Sequence, residues 1–120
     1  MTRFIDRSAL ALALGLALAL GLALTAGAAH AEDPPLIQLT IKDHKFAPPE
    51  IHVPAGKAVF LEITNADSEP EEFEMRQLAI EKVIPAGGTG RVRLRPLGPG
   101  RYAFIGEFHE ATAQGTVVAE

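Results

Sequence analysis

Short alternating segments run through the chain from residue 36 onward and constrain its fold more than any other feature. The segment LIQLTIKDHKF places Ile37, Leu39 and Ile41 on one face, and RVRLRPL places Val92 and Leu94 opposite three arginines. A period of two is typical of β-strands, and clusters of Pro and Gly mark the turns between them. About seven short strands in fewer than ~100 residues predict an all-β, Greek-key β-sandwich.

A charged and then apolar start predicts a signal peptide helix over residues 1–31. Arg3 and Arg7 precede an uncharged Ala/Leu run that ends in the small-x-small pattern AHA, before EDPP. Cleavage after that pattern predicts export to the periplasm. An uncleaved membrane anchor is the alternative, because a run of roughly 20 apolar residues can span a bilayer. Residues 32–35 are then a short linker, and residues 36–120 form one domain.

The composition of the mature domain disfavours several functional classes. Removing Arg3, Asp6 and Arg7 from the 11 basic and 15 acidic side chains leaves 9 and 14, a formal charge of −5. Such acidity disfavours nucleic acid and anionic membranes as partners and favours a cation such as a metal ion. Because the chain contains no cysteine, it can form neither a disulfide nor a thiolate ligand.

Carboxylates and one histidine form two clusters with the chemistry of a metal site. The segment SEPEEFEM holds four glutamates within six residues, and Glu107 and His109 stand two positions apart in GEFHE. If Phe73 faces the core, Glu72 and Glu74 share the opposite face of their strand. Glu107 and His109 point the same way where the backbone stays extended. The competing interpretation of the acidic run is a solvated loop that keeps the domain soluble.

Two longer phrases are more specific than a general sandwich pattern. FAPPEIHVPAGKAVFLEITNADSEPEEFEM and LGPGRYAFIGEFHEATAQGTVVAE together resemble the cupredoxin superfamily. There an F-x-P-x-x-I-x-V-x-x-G strand pair precedes the loop with the first metal ligand, and an L-x-P-G-x-Y-x-F-x-C hairpin brings the others. Within the superfamily, the combination of EFE, EK, GEFH and TA-x-G is most similar to the EfeO-type cupredoxin-like proteins of bacterial periplasmic iron-uptake systems.

The resemblance implies a metal site that lacks the blue-copper cysteine. That cysteine position falls on Gly106, which excludes a blue-copper electron carrier. The first histidine position falls on Glu71, the second on His109, and the axial methionine position of some members on Gln114. The predicted metal ligands are Glu72, Glu74, Glu107 and His109. Oxygen-rich ligation with one imidazole favours iron, followed by copper(II), manganese and zinc, although the general affinity order favours copper.

Other candidate residues receive structural interpretations. His44, in a turn, and His52, on an outward strand face, are interpreted as surface residues. Met75 shares the face of Phe73 and is interpreted as core, with copper ligation as the minority view. The roles left open are those of Glu71, Glu81, Met75 and Gln114.

The leading functional hypothesis is a periplasmic protein that binds an iron or copper ion for iron uptake. Its predicted partners are the metal ion and a membrane iron permease or a periplasmic iron-binding protein. No catalytic residue is identified, and an accessory role in oxidising the metal is an open alternative. A hydrolase is disfavoured, since Ser68 is the only serine after the signal peptide and no histidine lies near it in sequence. The alternative function is a metal-free interaction module that docks a transporter or binding protein.

Overall fold

Nine β-strands arise from the alternating segments and make up most of the residues that the structure describes. The structure is a computed structural model and describes residues 32–120. The predicted signal peptide and its helix lie outside these residues. The strands are β1 (Leu36–Lys42), β2 (Lys45–Ala47), β3 (Glu50–Val53), β4 (Val59–Asn65), β5 (Glu71–Met75), β6 (Ile80–Ile84), β7 (Thr89–Leu94), β8 (Gly100–Gly106) and β9 (Gln114–Ala119). Single 3-10 turns, Arg76–Leu78 and Glu107–His109, follow β5 and β8.

The strands form two sheets, which confirms the predicted sandwich. The four-stranded sheet has the order β2-β1-β4-β7 and the five-stranded sheet the order β3-β9-β8-β5-β6. Two strand pairs, β1 with β4 and β3 with β9, are parallel, and the other pairs are antiparallel. Neighbours in a sheet are therefore often distant in sequence, as a Greek-key connection requires.

Two predicted segments are each divided into two strands, which raises the number of strands above the expected seven or so. The segment LIQLTIKDHKF is divided at Asp43 and His44, where the chain turns back so that β2 pairs antiparallel with β1. Pro48 and Pro49 then separate β2 from β3, as the sequence predicts, because proline has no N–H to continue a ladder, and these two strands join different sheets. The segment FEMRQLAIEKVI is divided by the turn Arg76–Leu78. Ala79 follows that turn at a φ of 54°, and β6 then pairs antiparallel with β5.

The core lies between the sheets and is built from the inward positions of the alternating pattern. Ile37 and Tyr102 pack against it while partly buried. Phe46, Phe73 and Phe104 form an aromatic cluster with ring centroids 4.9 to 6.1 Å apart. Six inward positions of the alternating strands are almost fully buried: Leu39, Val59, Leu61, Val92, Leu94 and Phe104. Each contributes about 1.5–3 kcal/mol, so the sandwich has a core that does not depend on a bound ion.

One end of the sandwich collects the loops that carry the candidate residues. Strand β5 begins at Glu71 and pairs with β8 through Phe73 opposite Gly106. This register places the start of β5 beside the residues that follow β8. In residues 32–120, no helix has the length and apolar character needed to cross a bilayer.

Candidate metal centre

The β1–β2 turn presents a histidine at this end of the sandwich. Asp43 and His44 both adopt left-handed backbone conformations, with φ of 53° and 57°. The Asp67 carboxylate accepts the backbone N–H of Asp43 at 2.8 Å and that of His44 at 3.0 Å. The hydrogen bond from His44 lowers the pKa of Asp67, and the one from Asp43 adds to this effect against the opposing effect of burial. Asp67 therefore holds two consecutive left-handed residues, a conformation that is uncommon outside glycine although Asp and His adopt it more readily than most residues.

The β4–β5 loop brings a carboxylate to the same place. Asn65 is fully buried, and its side-chain amide donates to the carbonyls of Glu69 at 2.7 Å and Ile84 at 3.2 Å. Its side-chain oxygen accepts the N–H of Asp67 at 3.0 Å. A buried amide with all these partners fixes the loop conformation, and with it the positions of Asp67 and Glu69.

Glu71, the first residue of β5, is a buried carboxylate with only 1% of its surface exposed. Its Oε1 accepts the backbone N–H of Phe108 at 2.9 Å and of Glu72 at 3.1 Å. A Cβ on Gly106 would lie 2.6 Å from Cδ of Glu71 and 2.7 Å from Cβ of Ala113. The missing side chain at Gly106 thus leaves the space that the Glu71 carboxylate occupies.

His109 lies between two of these carboxylates. Its Nδ1 is 2.6 Å from Oε2 of Glu71, and its Nε2 is 3.1 Å from Oε2 of Glu69. The hydrogen bond with Glu71 raises the pKa of His109, burial opposes the rise, and Glu69 adds to it. The ring of His44 stacks on that of His109, with centroids 3.5 Å apart and planes within 11°. Nε2 of His44 lies 3.5 Å from the same Glu69 oxygen.

The first group of potential ligands is therefore His44, Glu69 and His109. One ligand atom from each residue lies within 4.8 Å of the other two. The three side chains are 40%, 61% and 20% exposed, so an ion can reach them from solvent. Two imidazole nitrogens and a carboxylate oxygen suit copper(II), iron or zinc.

A second group contains only carboxylates: Glu72, Glu81 and Glu107, again within 4.8 Å of one another. Burial raises the pKa of Glu72, and repulsion from Glu107 and Glu81 adds to the rise. Glu107 joins this group because residues 107–109 form a 3-10 turn. With three residues per turn, positions i and i+2 point in different directions, so Glu107 and His109 diverge after Gly106.

Glu74 belongs to neither group. It is 9% exposed, and its Oε1 lies 3.5 Å from Nε of Arg76. Its Oε2 is buried and has no hydrogen-bond partner among the described residues. The side chain borders a cavity of about 230 Å³ that is also lined by Arg76 and Phe104.

The four predicted ligands are thus divided between three places in the structure. His109 lies with His44 and Glu69, Glu72 and Glu107 lie together, and Glu74 is apart. Sequence reasoning assigned His44 to the surface and gave Glu69 no ligand role. The sequence feature that could have located the site was the resemblance to cupredoxins, which placed Glu71 and His109 at two ligand positions. Nothing in the spacing of the β1–β2 turn indicated that His44 would meet them.

Two residues with open roles, Met75 and Gln114, and the predicted surface residue His52 lie outside both groups. Met75 is fully buried in the core. Gln114 is exposed and donates to the carbonyl of Glu110 at 2.9 Å. His52 is exposed and pairs with Glu50 and Glu120.

Comparison with known proteins identifies the family of the chain. Residues 13–119 match the model of the cupredoxin-like domain. The chain belongs to the cupredoxin-like family. A Rickettsia prowazekii (strain Madrid E) protein described as uncharacterized is 43% identical to this cupredoxin-like protein over 82 residues. The match spans 68% of this chain and 66% of the length of the Rickettsia protein.

Solved structures share the cupredoxin-like fold. The metal-binding domain of the Cu(I)-exporting P-type ATPase CopA of Streptococcus pneumoniae D39, crystallised with Cu(I), has a TM-score of 0.66 at 17% identity. The similarity covers 77% of this chain and 92% of that one. Auracyanin A, a blue copper protein of Chloroflexus aurantiacus, has a TM-score of 0.64 at 16% identity, covering 73% of this chain and 100% of that one. At these identities the similarity establishes the fold.

The residues of this cupredoxin-like domain do not fit a blue copper centre. Such a centre needs a cysteine thiolate, and the chain has no cysteine. The room for a side chain at Gly106 is filled by the carboxylate of Glu71. The nitrogen and oxygen donors around His109 fit an ion that accepts imidazole and carboxylate ligands.

Proposed function

We propose that this cupredoxin-like protein binds an iron or copper ion through His44, Glu69 and His109. The observation that supports the proposal best is the meeting of their donor atoms, all within 4.8 Å of one another. The residues come from three separate segments, the β1–β2 turn, the β4–β5 loop and the turn after β8. Two of these segments are held by buried polar contacts of Asn65 and Glu71. Such support preorganises a site before any ligand binds.

The class of metal follows from the chemistry of the donors. Imidazole and carboxylate suit copper(II), iron, zinc and manganese in differing degrees, and the general affinity order places copper(II) highest among the divalent ions. Soft sulfur donors are absent from the group, since the chain has no cysteine and Met75 is buried in the core. We therefore expect the protein to hold oxidised copper or iron in preference to copper(I).

In this proposal the protein acts in the periplasm as part of an iron-uptake system. The apolar N-terminal sequence supports export, and the resemblance to EfeO-type proteins supports the iron role. The partner would be a membrane iron permease or a periplasmic iron-binding protein that receives the ion. The exposed position of Glu69 supports transfer rather than permanent storage, because ligand exchange requires access from outside.

Calorimetric titration with Fe(II), Cu(II), Zn(II) and Mn(II) tests the proposal. We expect at least one ion to bind with a 1:1 ratio, and His44→Ala, Glu69→Ala and His109→Ala each to weaken it at least tenfold, or ~1.4 kcal/mol. His52→Ala is the matched control, because His52 is an exposed histidine paired with carboxylates elsewhere on the surface.

The same titration distinguishes the histidine-containing group from the all-carboxylate group Glu72, Glu81 and Glu107. Weaker binding in Glu72→Ala and Glu107→Ala, with His44→Ala unaffected, would move the site to the second group. A parent protein that binds none of the four ions would refute the metal-binding proposal and leave the metal-free docking module as the better account.

A further inference from the structure

We infer that Glu71 is the positioning residue that fixes the tautomer of His109, so that Nε2 rather than Nδ1 is offered to a metal ion. The inference rests on the proposed metal-binding function and assigns Glu71 a role distinct from that of a ligand. It also assigns a function to a buried charge at the start of β5, where a core position would ordinarily be apolar.

The two oxygens of Glu71 have different tasks. Oε1 accepts two backbone N–H groups, from Phe108 and Glu72. Oε2 faces Nδ1 of His109 at 2.6 Å. An ionised carboxylate only accepts hydrogen bonds. Nδ1 of His109 must then carry the hydrogen that it donates to Oε2.

The consequence falls on the other ring nitrogen. In a neutral imidazole only one nitrogen carries hydrogen, so a hydrogen on Nδ1 leaves the lone pair on Nε2. Nε2 also faces a carboxylate, but Oε2 of Glu69 is exposed and 3.1 Å away, whereas Oε2 of Glu71 is buried and 2.6 Å from Nδ1. The shorter, buried contact retains the single hydrogen of the neutral ring, and an ion at Nε2 would bridge to Glu69 and to Nε2 of His44 nearby. Carboxylates that receive the second N–H of a metal-binding histidine fix both tautomer and ring orientation. Glu71 thus directs the free lone pair of His109 toward the other donors.

The contact between Glu71 and His109 requires a glycine at position 106. Gly106 has no Cβ, and a Cβ there would come within 2.6 Å of Cδ of Glu71. The carboxylate is enclosed between β5, the end of β8 and the turn after it. Because Glu71 is 1% exposed while Glu69 is freely exposed, an ion reaches Glu69 and Nε2 of His109 without displacing the Glu71 contacts.

Glu71→Gln is the informative variant because the structure dictates how the amide must lie. The two backbone N–H groups require an acceptor, so the amide oxygen takes the place of Oε1. The NH2 group then takes the place of Oε2 and donates to Nδ1 of His109. That nitrogen must become the acceptor, which moves the ring hydrogen to Nε2 and blocks the lone pair that a metal needs.

The first measurement is the ¹⁵N spectrum of His109 in the metal-free protein, at a pH that leaves the imidazole neutral. We expect the Nδ1–H tautomer in the parent and in Glu62→Gln, a control carboxylate on β4 that pairs with Arg91. We expect the Nε2–H tautomer in Glu71→Gln. An Nε2–H tautomer in the parent would overturn the inference, whether or not Glu71→Gln folds.

The second measurement is Zn(II) and Cu(II) affinity by calorimetry. Glu71→Gln should bind at least tenfold more weakly, as removal of an outer partner of a metal-binding histidine typically costs 10–100-fold. In a His109→Ala background the same change should have no further effect, because Glu71 acts through His109. The positioning role would be refuted if Glu71→Gln bound the metal as tightly as the parent. It would also be refuted if Glu71→Gln weakened binding as much in the His109→Ala background as in the parent. A parent that binds neither ion would refute the proposed function, while its tautomer would still decide the role of Glu71.

Discussion

Asp67→Ala should destabilise the fold by releasing the turn that presents His44. The carboxylate of Asp67 accepts two backbone N–H groups, at 2.8 Å and 3.0 Å. A typical net hydrogen bond contributes about 0.5–1.5 kcal/mol, with more for charged partners in buried places. The bond from Asp43 is exposed and the bond from His44 is partly buried, so we expect a total loss of about 2 kcal/mol. Asp67→Asn keeps one acceptor oxygen and should lose about half as much.

Urea unfolding followed by circular dichroism measures this loss. The midpoint should shift while the slope stays unchanged, because the surface exposed on unfolding is the same. Asp33→Ala, in the exposed chain before β1, should lie within about 0.5 kcal/mol of the parent. Asp43→Gly should restore part of the stability of Asp67→Ala, because glycine adopts the left-handed conformation without strain.

The pH dependence of the Asp67 effect has a definite sign. The folded-state pKa of Asp67 is lowered, chiefly by the N–H of His44. Its stabilisation is therefore fully present above the unfolded-state pKa of about 3.9 and is lost as the pH falls through the folded-state value. The difference between the parent and Asp67→Ala should be largest near neutral pH and shrink in acid. Equal stability of the two proteins at neutral pH would refute the reasoning, since the turn at Asp43 and His44 would then be stable without the hydrogen bonds to Asp67.

Three further expectations follow from the same end of the sandwich. Gly106→Ala should cost about 1–3 kcal/mol through overpacking, because its Cβ would lie 2.6 Å from Cδ of Glu71 and 2.7 Å from Cβ of Ala113; an unchanged urea midpoint would contradict it. The pKa of His109 is raised, mainly by Glu71, so its stabilisation is present below the unfolded-state value of about 6.5 and is lost as the pH rises through the folded-state value. His109→Ala should thus lose more stability at pH 6 than at pH 9, and an NMR titration placing the pKa of His109 below ~6.5 would reverse that expectation. Cu(II) added to the protein should produce weak d-d colour without an intense thiolate band in the visible spectrum, because the chain has no cysteine; an intense band would mean that sulfur ligates the metal.

The fold could be predicted from the sequence because the alternation of apolar and polar residues along a strand indicates which side chains are buried. Leu39, Leu61 and Leu94 are buried where the period of two places them. The break at Pro48 follows from the missing N–H of proline, but the turns at Asp43–His44 and Arg76–Leu78, which divide two predicted segments, contain no Pro or Gly to mark them. Strand number was therefore harder to predict than fold class.

The candidate site could be predicted from the sequence only in part, for two physical reasons. His44 meets His109 because two loops distant in sequence reach the same end, and no local pattern encodes that meeting. Glu107 turns away because a single 3-10 turn follows Gly106, and that turn has no side-chain cap that a sequence could reveal. Glu71 and His109 were recognisable only as positions in a family pattern, and their contact needed the register of β5 with β8.

The stacked rings of His44 and His109 join the two sheets at one end of the sandwich. The turn with His44 belongs to the four-stranded sheet, whereas His109 follows a strand of the five-stranded sheet. An ion held by both rings would close a long loop of the chain, as a disulfide does, and would limit the freedom of the unfolded state. Unlike a disulfide, this link would form and open with the supply of metal. A chain without cysteine would thereby gain a reversible cross-link whose strength follows the surrounding concentration of the ion.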